Sequence, residues 1–258
     1  MSSHGLLSSN DVRLGYFRRI DEAWRPVIYA AVDGLAVFEG CIILGTVAEM
    51  ERTTQTVAQQ PLLLKDPNAE PMGIAIKGQQ FRWKEKQVFF EIDANLPNQQ
   101  RVHDAISHWE SKTDFRFHNR KANTANYIVF RPGNGCAANV GMQGGPQSVI
   151  LGSGCSTGNA IHEIGHAIGL WHEQSRADRD SFIDIVWQNI DPNARHNFEQ
   201  HVIDGIDLGN YDYESIMHYP ANAFSVNGSD TIKPKQAGVE IGQRRALSAG
   251  DVDAVKNL

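Results

Sequence analysis

The sequence predicts an α+β domain preceded by a separate N-terminal segment. Three observations carry this. Short runs of β-forming residues alternate with helix-period segments from residue 87 onward. A polar stretch, 51–73, is broken by Gln60-Pro61, Asp66-Pro67 and Glu70-Pro71, which marks a linker. The 258 residues suffice for one well-cored domain plus an appendage.

In the first 50 residues, Val27-Ile28-Tyr29-Ala30-Ala31-Val32 reads as a strand or a buried helical piece. After the linker, Gln87 to Ile92 reads as a strand. Val102, Ala105, Ile106 and Trp109 recur at i, i+3, i+4 and i+7, one face of a helix. Phe115 to Phe117, Tyr127 to Phe130 and Ser148 to Leu151 read as short strands, and Ala137 to Gly141 as an edge strand. Thr157 to Gly169 reads as a helix capped by Ser156 or Thr157. Ser248 to Asn257 reads as a last helix, with Asp251 three residues after the capping Ser248.

Composition excludes several functions. Hydrophobic residues make up 41% and charged residues 21%, ordinary for a globular protein. Net charge is −6 with no Lys/Arg cluster, so no nucleic-acid partner is expected. No apolar run approaches a membrane span, and Met1 to Asn10 does not read as a signal peptide. A monomer is expected. Of three cysteines, Cys136 and Cys155 share a Gly-rich region, while Cys41 is distant and reads most simply as a buried, inert thiol.

The decisive stretch is His162-Glu163-Ile164-Gly165-His166-Ala167-Ile168-Gly169-Leu170-Trp171-His172. Residues four apart on a helix share a face, so His162 and His166 can grip one ion. Glu163 then sits beside that ion without binding it, placed to take a proton from water. Gly169 can end the helix and turn the chain, bringing His172 back as third ligand. Three neutral imidazoles leave one position open, as a catalytic Zn²⁺ requires. His103, His108, His118, His196 and His201 carry no such pattern and are assigned no role.

This stretch, with Glu173 and the following Arg176, Asp178, Arg179 and Asp180, resembles the extended zinc signature of the astacin family of metzincins. Ser215-Ile216-Met217-His218-Tyr219 is similar to that family's Met-turn. Among bacterial members, the whole chain is most similar to a myroilysin-type proenzyme. The resemblance covers about residues 74–258 and implies a two-subdomain fold. Its upper part, 74–169, would hold a twisted mixed sheet and the active-site helix. Its lower part, 170–258, would be loop-rich with a C-terminal helix. Residues 1–73 would be an inhibitory pro-segment and linker.

The same resemblance implies roles for single residues. Met217 would form a floor beneath the imidazoles, and Tyr219 would lie near zinc as an extra ligand that swings to stabilise an oxyanion. Cys136 and Cys155 match a family disulfide, and an oxidising, extracellular compartment follows from it. A second family disulfide has no partners here, which leaves the anchoring of the C-terminal helix open. Ile74 to Trp83 is similar to the start of mature astacins, implying a cut near Met72, Gly73, Ile74 and Ala75. The new terminus would approach Glu173. Phe38-Glu39-Gly40-Cys41 resembles the inhibitory Phe-x-Gly-Asp motif, with Cys41 in place of the Asp. A thiolate is a strong zinc ligand, so Cys41 would occupy the position meant for water.

The implied activity is a zinc endopeptidase acting on proteins or peptides, kept latent until an activating protease or self-cleavage removes the pro-segment. A catalytically silent zinc module would lack Glu163, which is present; a thiol enzyme using Cys41 would need an adjacent His, which is absent.

Overall fold

Alternation along Trp24–Val32 buries Val27 and Tyr29 and exposes Pro26 and Ile28, the mark of a strand with one face covered. In the computed structural model this is strand β2, and the structure describes residues 5–18, 24–59, 76, 78–200 and 207–258. β1 (Val12–Arg18) pairs antiparallel with it. β3 (Leu35–Phe38) returns along its other side. The turn between β2 and β3, Asp33-Gly34, has both φ angles positive, as a two-residue hairpin turn requires. β4 (Ile42–Thr46) pairs antiparallel with β3, and Phe38 faces Ile42 across a three-residue tip, Glu39-Gly40-Cys41.

Helix α1 (Val47–Gln59) follows. Thr46 Oγ1 accepts from the Glu49 N–H, and Glu49 Oε2 accepts from the Thr46 N–H, a reciprocal cap. Met50 and Val57, seven apart, are its buried residues. The stretch expected to be linker from Glu51 is therefore helical as far as Gln59. Its polar residues line the solvent face, and two apolar positions suffice to dock it. Met72, Gly73, Ile74 and Ala75 lie outside the described residues.

The main domain continues the same sheet. β5 (Gln87–Ile92), β6 (Arg116–Asn119), β7 (Tyr127–Arg131) and β9 (Pro146–Leu151) run parallel, and β8 (Cys136–Ala138) runs antiparallel to β9. The order is β1-β2-β3-β4-β8-β9-β7-β5-β6. β8 was expected at an edge; instead β4 lies against it, in parallel, at Ile42 and Ala138. The N-terminal segment fills that edge, which a local sequence pattern cannot reveal.

α2 (Gln100–Lys112) and α3 (Thr157–Ile168) pack together against the sheet. Trp109 of α2 is fully buried, and its indole N–H donates to Ile161 O of α3 at 3.0 Å. Phe115 caps that core rather than starting β6, which begins one residue later. Cys136 and Cys155 are bonded, tying β8 to the turn ahead of α3. Beyond residue 170 the chain is mostly loops and 3₁₀ turns, with a two-stranded ribbon of β10 (Ile183–Ile185) and β11 (Ile232–Pro234).

The last helix, α4 (Ala249–Ala254), has the expected Ser248–Asp251 cap and continues as a 3₁₀ turn to Asn257. Lys86 Nζ holds its end, donating to Val255 O and Lys256 O at 2.9 Å each. The helix is anchored by these bonds and by Asp251, without a second disulfide. Among the described residues, no helix is long and apolar enough to cross a membrane.

Candidate metal centre

Helix α3 begins at a capping box of Ser156 and Asn159 and ends where Gly169 takes φ 121°, a conformation a side chain would resist. The helix presents His162 and His166 on one face; the turn brings back His172. All three are buried. His166 Nε2 lies 3.1 Å from His162 Nε2 and 3.2 Å from His172 Nε2. Cys41 Sγ completes the group at 3.6, 3.3 and 3.1 Å from the Nε2 atoms of His162, His166 and His172.

These four side chains form one group able to hold a metal ion. Ideal tetrahedral zinc would separate N from N by about 3.3 Å and N from S by about 3.6 Å, given usual bond lengths. The five spacings above fall within half an ångström of these values, and an N₃S donor set suits zinc.

The back of each ring fixes its tautomer. His162 Nδ1 donates to Ile216 O at 2.8 Å, and His166 Nδ1 to Leu170 O at 2.7 Å. His172 Nδ1 donates to Glu39 Oε2 at 2.7 Å. Every Nε2 therefore turns a lone pair to the centre. Burial lowers the pKa of His162 and His166 well below the usual range, keeping them neutral as ligands must be. Burial, and then the Glu163 carboxylate, push the Cys41 thiol up. A cation held among the four would reverse that and favour the thiolate.

Glu163 is buried, and its Oε2 makes no hydrogen bond. Burial raises its pKa well above the carboxylate range. Met217 lies under the helix, where a Cβ on Gly165 would stand 2.7 Å from its sulfur. Asp251 pins this turn: it accepts from Ser215 Oγ at 2.6 Å and from the Ile216 N–H at 2.9 Å.

Tyr219 is fully buried beside His172, with ring centroids 4.6 Å apart. Its hydroxyl donates to Glu39 O at 2.6 Å. Glu173 lies apart from the four. It accepts from the Asp212 N–H at 2.8 Å, stands 3.6 Å from Arg176, and borders a cavity of about 20 Å³. Burial pushes its pKa up to about 8, against the pull of Arg176.

Two residues escaped sequence reasoning. Glu39 read only as the variable position between Phe38 and Gly40. Arg244 is half-buried, donates to His218 O at 2.9 Å, and acts electrostatically on Cys41 and Glu163. No motif flags it; its place depends on the fold of the loop before α4.

A mixed sheet over a two-histidine helix, with a third histidine on the following turn and a methionine beneath, defines the class of single-zinc proteins built on an HExxH helix. The profile of the Astacin peptidase family matches residues 75–258. Zinc metalloproteinase nas-13 of Caenorhabditis elegans is 39% identical over 189 residues, covering 71% of this chain and 42% of that protein. High choriolytic enzyme 1, a hatching enzyme zinc-protease from Oryzias latipes, superposes with a TM-score of 0.63 at 32% identity, covering 69% of this chain and 94% of that one. Myroilysin shares the fold at a TM-score of 0.50 and 18% identity, over 72% of this chain and 97% of that one. The chain belongs to the astacin family. It spans less than two thirds of the length of the curated relatives it matches first.

Proposed function

We propose that this chain is the latent form of a secreted zinc endopeptidase, with Cys41 in the position that the attacking water needs. The observation that carries this reading is the Cys41 sulfur, 3.1–3.6 Å from all three imidazole nitrogens at the tip of the β3–β4 hairpin. Gly40 permits the approach: its φ is 67°, and a Cβ there would stand 2.5 Å from the Phe224 ring. Phe38 seats against Trp171, next to the third ligand, at a centroid distance of 6.4 Å. The Ala138 N–H donates to Cys41 O at 2.8 Å, so the segment uses the β8 edge to which an extended substrate would add.

Once residues 1–73 are removed, the residues of the site take the following roles. His162, His166 and His172 hold the ion, and when bound, zinc supplies the Lewis acidity that brings the pKa of water toward about 7. Glu163 takes the proton of the attacking water and returns it to the leaving amine. Tyr219, freed from Glu39, turns its hydroxyl to the oxyanion of the peptide carbonyl. The new terminus, cut near Met72 to Ala75, meets Glu173 at the edge of the small cavity. An ammonium there would offset the buried carboxylate. The Cys136–Cys155 disulfide supports an oxidising, extracellular compartment. Substrates are proteins or peptides, and a protease or the chain itself makes the activating cut.

Cys41→Ala in the uncut chain is the direct test. Peptidase activity or self-processing should rise while zinc stays at one per chain. A variant as latent as the parent would leave Cys41 a bystander and assign latency to coverage of the cleft alone.

A further inference from the structure

We infer that Glu39 is a positioning residue of the metal centre: lent by the N-terminal segment, it braces the third imidazole from behind and sets how tightly the uncut chain keeps its ion. This rests on the reading that Cys41 and the three histidines hold zinc.

The three rings are not braced alike. His162 and His166 lean on main-chain carbonyls of Ile216 and Leu170, which belong to the same domain as the ligands. His172 leans on a carboxylate 133 positions away in the chain. A charged acceptor makes a stronger hydrogen bond than a carbonyl, and a carboxylate behind a ligating imidazole raises its basicity. The bond of His172 to the ion is therefore tuned by a residue that leaves with the segment.

The geometry around Glu39 is specific. Glu39 and Cys41 flank Gly40 and take the same ring from both ends: Cys41 Sγ lies 3.1 Å from His172 Nε2, and Glu39 Oε2 lies 2.7 Å from Nδ1. Ser175 Oγ donates to the other carboxylate oxygen at 2.5 Å. Glu39 is wholly buried and holds φ 45°, a region in which a Glu is uncommon. A buried carboxylate in a disfavoured backbone conformation is costly unless it is fully compensated. His172 Nδ1 and Ser175 Oγ supply part of the compensation, and a cation at the far side of the imidazole would add to it. An apolar side chain would fill the same space without that demand, so packing alone gives no reason for a Glu.

Loss of the segment should then weaken the centre twice, through the departing thiolate and through the departing brace. The test uses the full uncut chain and titrates Zn²⁺ against a chromophoric chelator for the parent, Glu39→Ala and Glu39→Gln. Glu39→Ala should bind zinc about 10–100-fold more weakly. Glu39→Gln should fall between, because its amide oxygen still accepts from His172 but carries no charge. The Co²⁺-substituted variants should keep the thiolate-to-cobalt charge-transfer band of the parent, showing Cys41 still bound.

Affinities for Glu39→Ala within about threefold of the parent would overturn the inference, well below the range expected of such partners. So would loss of the cobalt–thiolate band, because the effect would then run through a displaced Cys41. If Glu39→Ala does not fold, an affinity of Glu39→Gln equal to the parent's overturns it equally. A parent chain that takes up no zinc would instead sink the reading of the metal centre itself.

Discussion

Two turns approach the three histidines, and they are held in opposite ways. The Met-turn, Ser215 to Tyr219, is continuous with the domain that carries the ligands, and Asp251 of α4 ties down its Ser215 hydroxyl and Ile216 N–H. The hairpin tip, Glu39 to Cys41, comes from a segment joined to that domain through residues 60–75. Its contacts with the site include the Cys41 sulfur, the Glu39 carboxylate and the Glu39 carbonyl. On the proposed reading the first turn stays and the second leaves with the N-terminal segment. Tyr219 sits between them: its N–H donates to Gln174 Oε1, and its hydroxyl to the hairpin. On the proposed reading, the same side chain would serve the latent state and, once released, the reaction.

The sharpest test of the site that the two turns approach is to remove the proposed proton carrier, Glu163. Glu163→Ala in the cut form should lose at least about 10²–10⁴-fold in turnover, the range for a general base. Zinc should remain at one per chain by atomic absorption. Loss of zinc from a folded variant would make Glu163 a ligand and not a base.

Breaking the permanent turn should cost stability. Asp251→Ala strands the Ser215 hydroxyl and the N–H groups of Ile216 and Ser248, all of which Asp251 accepts from. A loss of about 4 kcal/mol is expected for three such bonds to a carboxylate. Urea denaturation measures it, and a loss under about 1 kcal/mol would mean the turn stands without α4.

Acid should loosen the same turn through His218. Its Nδ1 donates to Tyr219 O and its Nε2 accepts from the Tyr211 hydroxyl, so both nitrogens are committed to the neutral ring. Burial lowers its pKa to about 4. Below the unfolded value near 6.5 the unfolded chain takes up a proton that the folded chain refuses. Stability is thus lost as pH falls from about 6.5 to about 4, by about 3 kcal/mol from this group. His218→Gln should show a shallower decline than the parent between pH 7 and 4.5; parallel curves would contradict this.

The removable contact should be the weakest. Tyr219→Phe deletes one hydrogen bond to Glu39 O and should lower the stability of the uncut chain by about 1 kcal/mol. The cut form of this variant should lose far more in turnover than in stability. Equal turnover with and without the hydroxyl would deny Tyr219 its role at the oxyanion.

Much of this was legible in the chain because it is local. The α3 ligands lie four apart, and helix geometry alone makes them neighbours. β5 runs from Gln87 to Ile92 as its residues predict, and the α4 cap uses the Ser248 and Asp251 that its spacing marks. Where the reading failed, solvent-facing polarity had hidden structure: Glu51 to Gln59 looks like linker but is helix, because Met50 and Val57 are enough to seat it. Cys41 was legible only through its motif.

Sequence alone therefore picked out His162, His166, His172, Glu163 and the Gly169 turn, each set by spacing along a few residues, and Cys41 through its likeness to a family motif. Only the tertiary structure decided that β8 has a neighbour on both sides, that Asp251 pins the Met-turn, that Arg244 lies close enough to act on the site, and that Glu39 grips His172. Those contacts join residues about 30 to more than 200 positions apart. Burial and charge compensation select them, and neither is a property of any stretch of chain until the two parts of the molecule close on each other.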